Sequence, residues 1–169
     1  KSRLPWLLFL MLSATVTQMI MNSYEAALAV MPQLAGFIPM LTGTGGNCGS
    51  QSSTLVIRGL AIGEIEFRDL LKVIWKEVRI AVCISIILAV VNGARIVIMG
   101  QGDAMMALTI GVTMACTVII AKVVGCTLPL VAKKVGLDPA IMATPLISTL
   151  VDISTISVYF AIVSFVFHL

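Results

Sequence analysis

Charge is scarce in this sequence. Its 169 residues include 11 basic and 8 acidic side chains, and Asp, Glu, Lys and Arg together make up 11%. Soluble globular domains carry about 25%. So few charges cannot cover the surface of a water-soluble chain this long, which excludes an ordinary cytosolic enzyme. An apolar fraction of 59% excludes intrinsic disorder. A broad basic patch is also missing despite a formal net charge of +3, so nucleic acid is not a partner. Cysteine spacing is equally uninformative for redox or zinc chemistry. Cys48, Cys83, Cys116 and Cys126 form no C-x-x-C pair and lie in apolar segments. They read as buried thiols behaving as small hydrophobes, not as a disulfide framework. Histidine occurs once, at His168, next to the end and read as solvent-facing. A cleavable leader is not visible: the uncharged run 4–24 is too long for one and lacks a clean small-residue cleavage site.

What is present is apolar length. The mean hydropathy is +1.09, so the solvent is mainly lipid. A bilayer core needs about 20 apolar residues per helix. The chain then divides into five spans: about 4–24, a second within 26–57, a third centred on 80–94, a fourth at about 104–126 with Lys122 snorkelling, and a fifth at about 139–167. This predicts an all-α membrane protein with five transmembrane helices per subunit. Counting the flanks, Lys1, Arg3, Arg58, Arg68, Lys72, Lys76, Arg79, Lys122, Lys133 and Lys134 fall on one side and Arg95 alone on the other. The positive-inside rule therefore predicts a cytosolic N-terminus and an external C-terminus in a cell membrane.

Two links have structure of their own. Phe67, Leu70, Leu71, Ile74, Trp75 and Val78 recur at helical spacing, with Lys72, Lys76 and Arg79 opposite. This predicts an amphipathic interfacial helix over about 65–78, lying on lipid or docking a cytosolic domain. In the next link Gly136 suits a C-terminal cap, and Asp138 followed by Pro139 suits an N-cap and first helical position.

The fifth span carries Asp152, thirteen residues past Pro139 and so about 20 Å along the helix. A carboxylate near mid-membrane is costly unless hydrated or paired. Thr144, Ser148, Asp152 and Thr155 follow at spacings of four, four and three, which predicts a polar stripe. No Lys or Arg is expected at that depth, because Lys122 and Arg95 are placed near the surfaces. The partner is then water, a proton or a cation; a protonated Asp hydrogen-bonded between helices is the competing reading.

The second span is the most unusual. Positions 42–54 hold four glycines and eight uncharged hydrogen-bonding residues: Thr42, Thr44, Asn47, Ser50, Gln51, Ser52, Ser53 and Thr54. Such a segment is tolerated at membrane depth only inside protein or along a water-filled cavity. Gly43, Gly45, Gly46 and Gly49 allow close helix packing or free carbonyls to face an ion. Two other patterns fail. Gly43-x-Gly45 does not complete a dinucleotide fingerprint, since position 48 is Cys. Gly100-Gln101-Gly102-Asp103 is similar to an element of intramembrane aspartyl proteases, but sits at a span end without their second Asp. Glu25, just past the first span, would face outside and help collect cations. Oxygen donors without Cys or His point to a hard ion. A hydrated Mg²⁺ suits so sparse a site, although Na⁺, Ca²⁺ and Mn²⁺ remain chemically open.

The run from Phe37 to Thr54, followed by Arg58-Gly59-Leu60-Ala61, closely resembles the second transmembrane helix of the MgtE family of magnesium channels. Leu137-Asp138-Pro139-Ala140, Pro145 and Asp152 resemble its fifth. The resemblance spans essentially the whole of 1–169 and implies the pore domain alone, without the cytosolic N-terminal and CBS domains of full-length members. It also implies a homodimer with the pore on the two-fold axis, lined by the second and fifth helices. Asp152 would bind the hydrated Mg²⁺, with Ser148 beside it; Asn47, Thr144, Thr155, Gly45 and Gly46 would line the pore. Mn²⁺, Co²⁺ or Ca²⁺ could occupy the same site. The expectation is passive conduction, not enzymatic chemistry. An ion-coupled secondary transporter and a non-transporting membrane scaffold are the alternatives.

Overall fold

The computed structural model describes residues 4–168, and for 141–144 the backbone only; Lys1, Arg3 and the Thr144 side chain lie outside what it describes. All regular structure among these residues is helical. The order is α1 (Leu4–Ser23), a short α2 (Glu25–Val30), α3 (Gln33–Ala61), a 3₁₀ turn (Phe67–Asp69), α4 (Leu70–Ile98), α5 (Ala104–Lys134) and α6 (Pro139–Phe167). At 29 residues, α3, α4 and α6 each run to about 43 Å.

Local chemistry sets the boundaries. Asp138 Oδ1 accepts from the Ala140 amide at 2.9 Å, and Pro139 follows as the first helical residue, so the predicted cap is formed. Asp103 caps α5 in the same way, through the Met106 amide at 2.8 Å. α5 ends where Gly136 turns to φ +78°, a conformation glycine adopts freely, and the Leu137 amide returns to the Ala132 carbonyl. The amphipathic stretch before the third span forms the 3₁₀ turn and then the unbroken first turns of α4.

Four segments, Leu4–Ser23, Phe67–Ile98, Ala104–Lys134 and Pro145–Phe167, are long and apolar enough to cross a membrane. α3 is long enough, but its run of glycine and hydroxyl residues makes it too polar to qualify by composition. It lies at the centre instead, against α5 and α6, while α4 packs along α5. α1 packs on α6 and contributes no buried residue. Tyr24, just past α1, stacks on Phe160 with ring centroids 4.4 Å apart. Tyr159 donates its hydroxyl to the Leu34 carbonyl at 2.9 Å, joining the start of α3 to the far part of α6. At the opposite end Lys133 Nζ donates to the Leu60 carbonyl at 3.0 Å, and Lys134 Nζ lies 4.0 Å above the Phe67 ring centre. α3 and α5 therefore run parallel, and α6 runs against both. Basic groups far apart in sequence gather at this one end.

Lys122 departs from expectation. Its side chain does not snorkel; it is 3% exposed and pairs with Glu77 at 3.1 Å. The reason is geometric. Lys122 sits 12 residues before the end of α5, about 18 Å along the helix, and it points into the bundle, where Glu77 offers a nearer counter-charge than either surface.

Candidate functional site

The glycines of α3 make its packing possible. A Cβ on Gly45 would stand 2.7 Å from both Thr117 Cγ2 and Val151 Cγ1, and one on Gly49 would stand 2.7 Å from Ile147 Cγ2. The tightest crossing is at Gly125, where a Cβ would run into the Gly49 carbonyl. Close backbone approach of this kind is what small residues at helix interfaces permit. It seats α3 in the groove between α5 and α6, with Ile147, Val151 and Thr155 of α6 turned toward it.

The other face of α3 is left open. Gly36, Gly43, Asn47, Gln51, Thr54 and Arg58 are exposed and recur every three or four residues apart from the one gap filled by half-buried Met40. A shallow groove of about 610 Å³ on this face is lined by Asn47, Ser50, Gln51, Thr54 and Leu55. Elsewhere the surface carries apolar side chains such as Leu8, Ile87, Val90, Leu108 and Phe165. This face of α3 thus forms a polar stripe between apolar surfaces.

Asp152 lies on α6, next in sequence to Val151, which packs against Gly45 and Gly49 of α3. It is half-buried, and among the described residues it makes no hydrogen bond or ion pair. Contrary to the expectation that no basic residue reaches this depth, Lys122 is buried about 18 Å from the end of α5, but its charge is engaged by Glu77. Ser148, one turn earlier, is also half-buried; a Cβ on Gly46 would stand 3.7 Å from its Oγ. Ser148 and Gly46 therefore meet at the seam between α3 and α6; Asp152 follows Ser148 by one turn of α6, and Asn47 follows Gly46 on the open face of α3.

Two expected pore-lining positions are placed elsewhere. Thr155 is 1% exposed, and a Cβ on Gly45 would lie 3.4 Å from its Oγ1. The step of three residues from Asp152 turns Thr155 toward α3 instead of continuing the stripe. Gly45 is buried with it, at the contact with α5 and α6. Among the described residues the Thr155 and Thr117 hydroxyls are buried without a partner. No three His, Cys, Asp or Glu side chains converge within the described part of one subunit.

A second polar cluster went unpredicted. Glu77 Oε2 accepts from Ser52 Oγ at 2.5 Å and from Lys122 Nζ at 3.1 Å, joining α3, α4 and α5. Its signal was present in the sequence. Glu77 stands seven residues after Leu70 and three after Ile74, on the apolar face of its helix, and an ionisable residue within a span calls for a partner.

Comparison with known proteins fits a helical unit of this kind. The family model described as "Divalent cation transporter", MgtE, matches residues 38–162. The chain belongs to the MgtE family. That family is one of transporters, not enzymes. The magnesium transporter MgtE of Bacillus subtilis is 35% identical over 166 residues, covering 98% of this chain and 37% of the relative. That of Thermus thermophilus is 33% identical over 161 residues, 95% of this chain and 35% of the relative. The Enterococcus faecalis protein is 32% identical over 165 residues, 96% and 36%. This MgtE-family chain thus spans little more than a third of the length of those relatives, and with its apolar helices it is a membrane protein.

Proposed function

We propose that this chain forms one half of a dimeric pore that passes hydrated Mg²⁺ down its electrochemical gradient. The observation that carries the reading is the open polar face of α3, together with Asp152 one turn beyond Ser148 on α6, which has no hydrogen-bond or ion-pair partner among the described residues. A row of Gly, Asn, Gln and Thr cannot face lipid, so α3 is the fifth membrane span, covered by a second copy and by water. A two-fold axis along that face brings each residue to its own copy and doubles the carboxylates from one to two. Mg²⁺ dehydrates reluctantly and is held through its waters by one or two carboxylates, which fits Asp152, Ser148 and backbone carbonyls better than a dry cage would. Asn47 and Gly46 line the path; Thr155 and Gly45 shape its wall from behind. Mn²⁺, Co²⁺ or Ca²⁺ would compete at the same place. The charge asymmetry puts the basic end in the cytosol, where the 65–78 segment lies at the lipid surface. CBS domains in a longer chain would regulate the pore from that side.

The test is Mg²⁺ influx into proteoliposomes by the wild type and Asp152→Asn, with magnesium titration calorimetry on both. Asn keeps the shape and removes the charge. Flux and tight binding should both be lost while the fold is retained. Wild-type values in both would show Asp152 to be a protonated structural residue. Flux that needs a proton or Na⁺ gradient would instead favour an ion-coupled carrier.

A further inference from the structure

We propose that Ser52, Glu77 and Lys122 form a positioning lock that sets the rotation of α3, and with it the direction in which Asn47 and Gln51 face. The proposal rests on the pore reading above. Ser52 Oγ donates to Glu77 Oε2 at 2.5 Å, Lys122 Nζ donates to the same oxygen at 3.1 Å, and Lys122 Nζ also donates to Ser52 Oγ at 3.1 Å. The three residues are 0%, 6% and 3% exposed and come from three different helices. None of them lines the open groove, so they act through α3 and not on an ion.

Stability alone does not account for such a cluster. Apolar side chains of similar volume often replace a buried ion pair with no loss. The adjoining contact shows what the cluster adds. One turn from Ser52, α3 meets α5 as Gly49 on Gly125, and beyond that as Gly45 against Thr117. Interlocking ridges and grooves fix a crossing, and glycine presents no ridge. Thr117, Ile147 and Val151 seat against Gly45 and Gly49, and Leu34, Phe37, Leu41, Val56 and Leu60 turn one side of α3 inward, but these apolar contacts carry no polar direction of their own. The cluster supplies the missing direction, because Ser52 reaches Glu77 and Lys122 together only over a narrow range of α3 rotation. In that rotation Asn47 is exposed and Cys48, its neighbour, is 8% exposed. A turn of about 100°, one residue's worth, would bring Cys48 to the open face in place of Asn47.

Cys48 is therefore a built-in reporter. With Cys83, Cys116 and Cys126 changed to Ala, it is the only thiol in the chain. In proteoliposomes its reaction with a small methanethiosulfonate should be slow. Ser52→Ala leaves the Glu77–Lys122 pair in place and frees α3. It should stay folded and melt only a few degrees below its parent, label at Cys48 about five- to tenfold faster, the factor expected for loss of one buried hydrogen bond, and show a matching drop in Mg²⁺ influx. The apolar triple variant Ser52→Ala/Glu77→Met/Lys122→Met leaves no buried charge unpaired and should fold, with the same fast labelling and low influx. Parental labelling in Ser52→Ala, or parental influx in the triple variant, would overturn the lock. If the parent carries no Asp152-dependent flux, the pore reading fails, while Cys48 labelling still decides the lock.

Discussion

At the scale of single residues, the proposed path rests on Asp152, a carboxylate without a partner among the described residues. In the proposed dimer two copies of Asp152 would face one another and repel, and a proton or a divalent ion would relieve that repulsion. Cation and proton therefore compete, and binding should release protons. Apparent Mg²⁺ affinity should fall as pH is lowered, and the heat of binding should vary with the ionisation enthalpy of the buffer; a pH-independent affinity would contradict the paired-carboxylate arrangement. Asp152→Glu should retain some binding but discriminate poorly between Mg²⁺ and Ca²⁺, since the longer arm shifts the oxygens against a near-octahedral requirement. Competition titrations with the two ions would read this. Asp152 stood out in the sequence because one carboxylate in a long apolar span has few explanations, and its role is what the titrations would test. The burial of Thr155 against α3 was not legible, because a step of three residues at the edge of a stripe leaves the side chain on either flank, and only the position of α3 decides which. Lys122 was misplaced for a related reason. A lysine near the end of a span read as 104–126 could reach water, but α5 runs on to Lys134 and leaves Lys122 too deep to do so, and the acid that pairs with it lay on a helix 45 residues away in sequence.

At the scale of elements, α3 shows how a helix too polar for lipid is held in a membrane protein. Its glycines are not equivalent. A Cβ at Gly125 of α5 would strike the Gly49 backbone of α3, which cannot move without moving the helix. A Cβ at Gly43 would meet nothing within 4 Å. Gly125→Ala should therefore lower the melting temperature strongly, at a cost of about 1–3 kcal/mol or more, as overpacking does. Gly43→Ala should leave the melting of the subunit unchanged, and in a helix interior it gains propensity. If Gly43→Ala nonetheless lowers flux or weakens the dimer, the open face of α3 is in use. Equal melting of both variants would show that the glycine seam is not the close contact it is taken to be. The glycine-rich run announced close packing from sequence alone. The run did not say which glycines meet which helix, because that depends on α3 and α5 being parallel, a property of the whole bundle.

For the whole molecule, the question is what covers the face that α3 leaves open. The rest of the bundle was readable in outline. Apolar length and caps such as Asp138 marked the helices, and Lys133 and Lys134 meeting Leu60 and Phe67 bring distant basic residues to one end. Assembly is not readable in this way, since nothing within one chain records its partner. The polar stripe nevertheless limits the choices. Lipid cannot satisfy Asn47 and Gln51, and a different protein would have to bring its own polar row. A second copy supplies the same row by symmetry, because at a two-fold axis each residue meets its own counterpart or lies across the pore from it. With all four native cysteines replaced by Ala, single cysteines at Gly43, Asn47, Gln51 and Thr54 should each be joined across the axis by a short bifunctional thiol reagent in native membranes, giving a product of twice the subunit mass. A cysteine left at position 48, buried against the core, should be joined much more slowly. Added Mg²⁺ should slow the linkage at Asn47, as an ion in the path would. If none of the four exposed positions yields a dimer, the open face of α3 is covered by something other than a second copy, and the two-fold pore falls with it.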